Sequence, residues 1–295
     1  MSRAPLIPAT VACVATLAAA GCGGAANIGR PPAAVAKPGP TATPPPKRTR
    51  GYPSSIAVLG HSGATGEDSD PAQPHVEIRT NSWATGTNPR VNSVYQRILA
   101  KNPAVRGHNV NLAHAGATVD DLLGQAQQAV ALRPRPDLVL VQIMDNDMVC
   151  PAARGDYASF RARLVEALRT LAGGLPGAHV FLVSQFGMPM TEWPTFTLSQ
   201  RKAFGGTGPC DYLNRAGKVV PSRLRRLTRI IRGYEAQLQA GCARVPRCRY
   251  DDGAFARQIH RRSYVSEDLN HFSVAGHAKA AAVAWAALRH AGLVP

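Results

Sequence analysis

The stretch S-I-A-V-L-G-H-S-G-A-T-G, residues 55–66, decides the fold. Its apolar run, Ile56 to Leu59, is short and contains β-branched residues, which is typical of a strand buried on both faces. Gly60 permits a sharp turn, so Ser62 lies at the carboxyl end of the strand, where open α/β sheets bind their ligands. A serine at such a place can also do no more than close the turn. Whether Ser62 is a nucleophile therefore depends on partners elsewhere in the chain.

Strand patterns alternate with helix patterns along the rest of the chain. Further strands are predicted at 108–113, 137–143, 178–183 and near 249–250. The last two helices are predicted over 221–240 and 274–290. This alternation implies parallel pairing through right-handed crossovers. We therefore predict one three-layer α/β/α domain over residues 51–295, with a central parallel sheet of about five strands.

Three helix starts are predicted from local capping signals. Asn88 followed by Pro89 predicts the start of a helix that runs to Leu99. Thr118 predicts the cap of the next helix, and Asp156 the cap of the one after it. Each start sets which side chains face the sheet.

Residues 1–50 have the composition of a targeting segment followed by a tether. Arg3 precedes an apolar run that is too short to span a membrane as a mature helix. The run ends in A-A-A-G-C, residues 18–22, which resembles the lipobox of bacterial lipoproteins, although leucine is usual where Ala19 stands. We predict a lipoprotein-type signal over 1–21, acylation of Cys22 and a disordered, Pro/Ala-rich tether over 22–50.

An ordinary secretory signal is the alternative for this segment. Both interpretations predict export, with the protein either lipid-anchored to the outer face of the cell membrane through Cys22 or secreted. The sequence does not determine the oligomeric state, and a monomer is our expectation.

The charge of the chain is unevenly distributed. Residues 1–50 hold six of the 34 basic residues and no acid, so residues 51–295 carry 28 basic against 18 acidic residues. This balance favours anionic surroundings such as a phosphate-rich envelope or a membrane surface. No nucleic-acid recognition motif accompanies the charge, so nucleic acid is not an expected partner.

Four cysteines follow the signal segment: Cys150, Cys210, Cys242 and Cys248. In an exported domain they indicate two disulfides, with three possible connectivities. Because Cys242 and Cys248 would close a short local loop, we predict that pair and, with it, Cys150–Cys210. A zinc site is the alternative, but no C-x-x-C spacing supports it.

The far end of the chain offers catalytic partners for Ser62. In E-D-L-N-H-F-S, residues 267–273, Asp268 stands three residues before His271. An imidazole can remove the proton of a serine hydroxyl near neutral pH. A carboxylate beside it fixes the tautomer and stabilises the imidazolium that forms. A metallohydrolase site built from His61, Asp145, Asp147 and His271 is a weaker interpretation, because no H-x-H or H-E-x-x-H spacing is present.

Four blocks together resemble the SGNH (GDSL-type) serine hydrolases. In chain order they are G-H-S at 60–62, N-L-A-H-A-G-A-T at 111–118, N-D at 146–147 and D-x-x-H at 268–271. The resemblance covers nearly the whole predicted domain. It implies a flavodoxin-like sheet, no cofactor, a Ser62–His271–Asp268 triad, and an oxyanion hole made by the Ser62 and Gly116 N–H groups and the Asn146 amide.

Two positions depart from the family pattern. His61 replaces an aspartate, and Met144 stands where a glycine opens the third block. Replacing an anion by a neutral or positive group is expected to lower the pKa of His271. The His61 side chain is expected to point away from the Ser62 hydroxyl.

The resemblance implies a serine esterase that forms an acyl-enzyme on an ester of a lipid, a short acyl group or an acetylated glycan. An inactive, envelope-anchored binding protein on the same fold is the alternative. Residues 185–220 are long for a connection, which favours a functional role. Phe186, Trp193 and Phe196 in this segment are candidate walls of a substrate groove, or else a satellite hydrophobic cluster.

Overall fold

A computed structural model describes residues 49–206, 208 and 210–295. The predicted signal over 1–21, Cys22 and nearly all of the tether over 22–50 lie outside these residues. The strands are β1 Ile56–Gly60, β2 Asn109–Asn111, β3 Leu138–Gln142, β4 His179–Leu182 and β5 Cys248–Tyr250. The α-helices are α1 Val94–Leu99, α2 Leu122–Ala131, α3 Arg154–Gly174, α4 Pro189–Glu192, α5 Leu198–Phe204, α6 Pro221–Cys242 and α7 Val274–His290.

All five strands form one parallel sheet in the order β2-β1-β3-β4-β5. Ile56 of β1 is in register with Asn109 on one side and Leu138 on the other. The chain reverses its direction of travel across the sheet beside β1, since β2 and β3 lie on opposite sides of it. In such sheets a crevice opens at the carboxyl ends of the strands at this point.

Alternate residues of the strands feed two separate cores, as a pleated strand requires. Ile56 and Val58 face a core shared with α1 and α7. Ala57 and Leu59 face a second core shared with α2, α3 and α6. Every residue of β1 and β3 is buried. The predicted three-layer α/β/α fold with a five-stranded parallel sheet is confirmed.

The start of α1 differs from the prediction. The helix begins at Val94, and Ser93 caps it through a reciprocal pair of hydrogen bonds with Gln96. Asn88 instead caps a turn, where its side-chain oxygen accepts the Arg90 N–H at 2.9 Å. A full capping box satisfies two of the free N–H groups at a helix start, which favours the later position.

Neither of the other two predicted caps is correct. Asp121 precedes α2, and its carboxylate accepts hydrogen bonds from the N–H and hydroxyl of Thr118. Ala153 precedes α3, and Asp156 lies in the first turn, where it accepts the Ala153 N–H at 2.7 Å. Both carboxylates reach back from near the helix start, where the backbone N–H groups favour negative charge.

Both predicted disulfides are formed, Cys150–Cys210 and Cys242–Cys248. Such bonds persist in oxidising compartments and indicate an exported protein. The segment over 185–220 contains α4 and α5 rather than irregular chain alone. Within the described part of the chain, no helix combines the length and apolar character needed to cross a bilayer.

Candidate active site

The turn after β1 fixes Ser62 at the crevice. Gly60 has φ +132°, and a Cβ placed there would lie 1.7 Å from the carbonyl oxygen of Gln142 on β3, so only glycine fits. The Gln125 side chain binds both polar groups of Gly60, accepting its N–H at 2.6 Å and donating to its carbonyl at 3.0 Å. His61 N–H donates to the Gln142 carbonyl at 3.2 Å. The turn is therefore held on one side by the Gln125 side chain and on the other by the main chain of Gln142.

A buried tryptophan supports this turn from below. The Gln142 side-chain oxygen accepts the Trp83 Nε1–H at 2.7 Å, and Trp83 is fully buried. A Cβ at Gly63 would lie 2.5 Å from Gln142 Nε2, so the amide fills the space beneath the turn. Gln125 and Gln142 were not among the predicted site residues. The available signal was a lone glutamine at the end of the apolar run L-V-L-V-Q.

Asp268 and His271 form a tight pair. The Nδ1 atom of His271 lies 2.5 Å from Asp268 Oδ2, and the His271 N–H donates to Asp268 Oδ1 at 3.0 Å. The Ser266 hydroxyl donates to the same carboxylate. Burial acts to raise the pKa of Asp268, but these hydrogen bonds outweigh it and hold the pKa well below its usual range. The imidazole is thus oriented with Nδ1 towards Asp268.

Two further carboxylates surround the imidazole. Asp68 Oδ2 lies 3.5 Å from His271 Nδ1, and Glu67 Oε2 lies 3.7 Å from Nε2. The Glu67 Oε2 atom is buried and accepts no hydrogen bond from the described residues. Burial is the main cause that raises the pKa of the Glu67 carboxyl. Both residues follow Ser62 by only a few positions, yet nothing in the sequence pattern assigned them to the site.

These carboxylates decide the net direction in which the pKa of His271 is shifted. Burial acts to lower its pKa, but the hydrogen bond to Asp268 and the negative charges of Asp268, Glu67 and Asp68 together raise it. The expectation that His61 lowers this pKa concerns the difference between His61 and an aspartate, and it stays a prediction.

His61 itself turns away from the hydroxyl, as expected. Its Nδ1 accepts the Gly63 N–H at 3.0 Å, and its Nε2 lies 3.3 Å from Asp145 Oδ2. Burial lowers the pKa of His61, while the charge of Asp145 opposes this effect. Both ring nitrogens are engaged, so His61 supports the turn.

Met144 retains a backbone conformation suited to the glycine that it replaces. Its φ is +144°, in the region that favours glycine, and its side chain is buried in the core shared with α2, α3 and α6. Such a conformation costs about 1–3 kcal/mol in a non-glycine residue. Burial of a methionine side chain offsets this by a similar amount, about 1.5–3 kcal/mol.

Three of the four blocks meet in one cavity. Ser62, Asn146 and His271 all line a cavity of about 420 Å³. Within the described part of the chain no hydrogen bond joins the Ser62 hydroxyl to His271. Gly116, at φ +74°, is exposed on the neighbouring turn and is not among the lining residues. The Asn146 amide donates to the Ala117 carbonyl at 3.0 Å and so ties the two loops together.

An acidic residue that the sequence analysis missed holds the Gly116 turn. Glu77 Oε1 accepts the Ala115 N–H at 2.7 Å, and Glu77 Oε2 pairs with Arg79 at 2.8 Å. Arg79 in turn donates to the carbonyl groups of Asn111 and Ala113 at 3.0 and 3.2 Å. The second block is therefore fixed in position by the loop that follows Ser62.

The residues considered for a metal site do not form one group. His61 pairs with Asp145, and Asp147 Oδ1 accepts the Val119 N–H at 2.9 Å. In residues 49–206, 208 and 210–295, the group whose ligand atoms do come together is Asp68, Asp268 and His271, within 4.8 Å of one another. The carboxylate oxygens of Asp68 and Asp268 both lie next to His271 Nδ1. That nitrogen already donates its hydrogen to Asp268.

A family model matches residues 58–279, described as the GDSL-like lipase/acylhydrolase family. The chain belongs to this family. The match spans all four blocks, from β1 into α7. The protein is thus assigned as a carboxylic ester hydrolase of this family. A comparison with curated proteins finds no significant match.

Several solved structures are similar to this chain at low sequence identity. A psychrotrophic esterase from Pseudoalteromonas sp. is 11% identical with a TM-score of 0.42, covering 80% of this chain and 97% of its own. Phospholipase A1 from Streptomyces albidoflavus is 14% identical with a TM-score of 0.47, covering 80% and 98%. An acetyl-xylooligosaccharide esterase from Geobacillus is 17% identical with a TM-score of 0.44, covering 79% and 93%.

The cavity of this GDSL-family member has largely apolar walls. Phe186 lines it, whereas Trp193 and Phe196 are not among its described lining residues. Arg201 stacks over the Trp193 ring at 5.4 Å, and Phe196 packs in a small cluster behind the wall. The remaining apolar lining comes from Met148, Pro189, Phe204, Leu227, Ile231 and Phe272.

One part of the cavity wall is polar. Tyr212 O–H donates to Glu192 Oε2 at 3.2 Å, and both residues line the cavity. Burial raises the pKa of Glu192 to about 7. Gln185 also lines the cavity, and its buried Oε1 accepts no hydrogen bond from the described residues. This part of the wall therefore offers both donors and acceptors to a ligand.

Proposed function

We propose that the protein is a serine esterase that uses Ser62 as nucleophile, His271 as general base and Asp268 as the residue that orients it. The observation that carries this proposal is the 2.5 Å contact between His271 Nδ1 and Asp268, in the wall of the cavity that Ser62 also lines. A hydroxyl is a weak nucleophile until a neighbouring base accepts its proton.

The reaction proceeds in two stages. His271 Nε2 takes the Ser62 proton as Oγ attacks the acyl carbon, and the imidazolium then returns that proton to the departing alcohol. Water, activated by the same nitrogen, attacks the acyl-enzyme and releases the acid. The Ser62 N–H, the Gly116 N–H and the Asn146 amide are proposed to bind the oxyanion, and losing one such donor typically lowers kcat by about 10²–10³-fold.

The apolar walls support an acyl or aromatic group as the part of the substrate that enters the cavity. The Glu192–Tyr212 pair supports a hydroxyl or carbonyl at its polar part, because a carboxyl with a pKa of about 7 can donate or accept near neutral pH. An ester of a lipid, a short acyl group or an acetylated glycan remains the proposed substrate class.

The decisive variant is Ser62→Ala, with the exposed Ser199→Ala on α5 as the matched control. We expect kcat on a panel of graded acyl esters to fall by about 10⁴-fold or more with the fold intact, and Ser199→Ala to leave it unchanged. A fluorophosphonate should label the wild type and not Ser62→Ala. Wild-type turnover in Ser62→Ala would contradict the assignment, and an unlabelled, inactive wild type would favour the binding-protein alternative.

We further propose export with lipid anchoring at Cys22. The short apolar segment, the lipobox-like A-A-A-G-C and the two disulfides support it. Expressed in its own envelope, the full chain should partition into detergent, whereas Cys22→Ser should remain in the aqueous phase. A detergent-soluble Cys22→Ser protein, or an unmodified Cys22 by mass spectrometry, would contradict the anchor.

A further inference from the structure

The stretch over 198–232, which supplies part of the cavity wall, is strongly basic. Residues 198–232 contain nine basic residues and one acid, Asp211. Three of the nine, Arg215, Arg223 and Arg226, line a single concavity together with Cys150, Gly206, Gly208 and Asn214. The basic residues are thus not only a solvated helix face, because three of them converge on one place.

The three arginines reach this concavity from two elements. Arg223 and Arg226 are on the first turns of α6, while Arg215 lies in the turn between Leu213 and Val219, which form an isolated bridge. All three side chains are exposed. Elsewhere arginines pair with acids, as Arg163 does with Asp120 and Arg262 with Glu267. Among the residues that the structure describes, no carboxylate lies within 4.0 Å of these three guanidinium groups.

The concavity adjoins the catalytic cavity. Gly208 lines both of them. Cys150 lines the arginine concavity, and its disulfide partner Cys210 lines the catalytic cavity, with 5.1 Å between their Cα atoms. The two spaces are therefore separated by little more than one disulfide.

The two spaces have opposite electrostatic character. The catalytic cavity is lined by the acids Asp145, Glu192 and Asp211 and by no lysine or arginine among its described lining residues. The adjoining concavity presents three guanidinium groups and no acid in its described lining. An ester that carries a strong anion is therefore expected to place the ester in the first and the anion in the second.

We propose that Arg215, Arg223 and Arg226 form a phosphate-binding subsite for the substrate of the esterase. Three like charges in one concavity repel one another, and a phosphate monoester or diester offsets that repulsion. Guanidinium groups match the oxygens of a phosphate in geometry and bind them through charge-assisted hydrogen bonds. This inference rests on the proposed function, since the subsite would hold the phosphate of a molecule whose ester reaches Ser62.

Binding is tested first without catalysis. Ser62→Ala protein is titrated with inorganic phosphate at constant ionic strength and followed by calorimetry. Adding Arg215→Gln, Arg223→Gln and Arg226→Gln should weaken binding by about tenfold or more, the effect of losing about one charge-assisted hydrogen bond. The matched control adds Arg225→Gln, Arg229→Gln and Arg232→Gln, which remove the same charge from α6 outside the concavity. Equal losses in both triple variants would overturn the subsite.

Turnover is tested next, with pairs of soluble esters that differ only in a phosphate on the alcohol. Wild type should favour the phosphorylated ester in kcat/KM, and the Arg215/Arg223/Arg226 triple variant should lose that preference while cleaving the neutral ester as before. No preference in wild type would overturn the proposal. If no ester is cleaved yet phosphate binding depends on the three arginines, the esterase assignment fails and the subsite stands.

The source of the phosphate is distinguished by a third arm. Vesicles of phosphatidylglycerol are compared with the soluble phosphorylated ester as substrate, in wild type and both triple variants. If turnover falls only in the Arg215/Arg223/Arg226 variant and only on vesicles, the phosphate belongs to a lipid headgroup. If it falls only in that variant and only on the soluble ester, the phosphate belongs to a free phosphoester. Should the triple variant not fold, Arg223→Gln alone against Arg225→Gln gives the same comparison, and equal losses in that pair would again overturn the subsite.

Discussion

Two regions enclose the same cavity and are held in different ways. The turn that carries Ser62 is fixed through its own main-chain groups, with Gly60 bound by the Gln125 side chain and His61 bound by the Gln142 carbonyl. The segment over 185–220, which we term the cap segment, is built from the short helices α4 and α5 and joined to the loop after β3 by a disulfide. Three of its apolar side chains are exposed, Met190 by 56%, Leu198 by 50% and Phe204 by 36%.

The two regions have different tasks: the Ser62 turn positions reacting groups, and the cap segment selects the substrate. Groups that touch the reacting carbonyl must stay within a fraction of an ångström of their positions, so the sheet and its hydrogen bonds carry them. A wall that only selects a substrate tolerates looser packing and more change of sequence. We expect changes at the Ser62 turn to affect stability and kcat, and changes in the cap segment to affect mainly KM.

The largest effect is expected from Gly60→Ala. The new methyl group would meet the Gln142 carbonyl, and the backbone at φ +132° disfavours any side chain. Unfolding by urea should show a loss of more than about 4 kcal/mol. Gly107→Ala, at φ +76° with open space around its Cβ, is the control and should cost only about 1 kcal/mol. Equal losses would mean that the close approach of β1 and β3 is not what requires glycine.

A smaller effect is expected when the cap segment is released. The Cys150→Ala, Cys210→Ala double variant opens a bridge that spans 60 residues, for which chain entropy predicts a loss of about 4 kcal/mol. The matched pair Cys242→Ala, Cys248→Ala opens a bridge that spans 6 residues, with an expected loss of about 2 kcal/mol. KM should rise in the first double variant and not in the second. Unchanged KM in both would show that the bridge does not shape the cavity.

The smallest effect is a shift in pH dependence with Glu67→Gln. The Glu67 charge helps to raise the pKa of His271, and the base must be neutral to act, so removing that charge should move the acidic limb of kcat/KM to lower pH. Glu267→Gln removes the same charge from an exposed residue paired with Arg262 and should leave the limb in place. A shift to higher pH in Glu67→Gln would contradict this electrostatic account.

The sequence allowed the sheet and the candidate triad to be predicted because local patterns encode them. The run I-A-V-L-G can pack only as a buried strand, and the helix over 274–290 was predicted with its observed bounds. Ser62, Asn146 and the Asp268–His271 pair lie in short motifs at the ends of such elements. Parallel strands bring those ends to one edge without further information.

The sequence did not allow the surroundings of His271 to be predicted. Glu67, Asp68 and Glu77 lie in a polar loop without periodicity, and only the folded chain shows that they face the imidazole and the Gly116 turn. The residues that line the cavity are not encoded locally for a similar reason, since Trp193 and Phe204 are equally apolar and only tertiary packing decides which one lines it. Long-range side-chain contacts of this kind leave no local pattern.

The Cys150–Cys210 bridge also affects what happens when a protease cuts the chain. An exported protein meets them, and loops with exposed apolar side chains, such as the cap segment, are where chains are cut first. Any single cut between residues 150 and 210 leaves the two pieces covalently joined, because both ends of that stretch belong to the same bridge. A nicked molecule therefore keeps Cys210 attached beside the crevice, and the two fragments separate only after reduction.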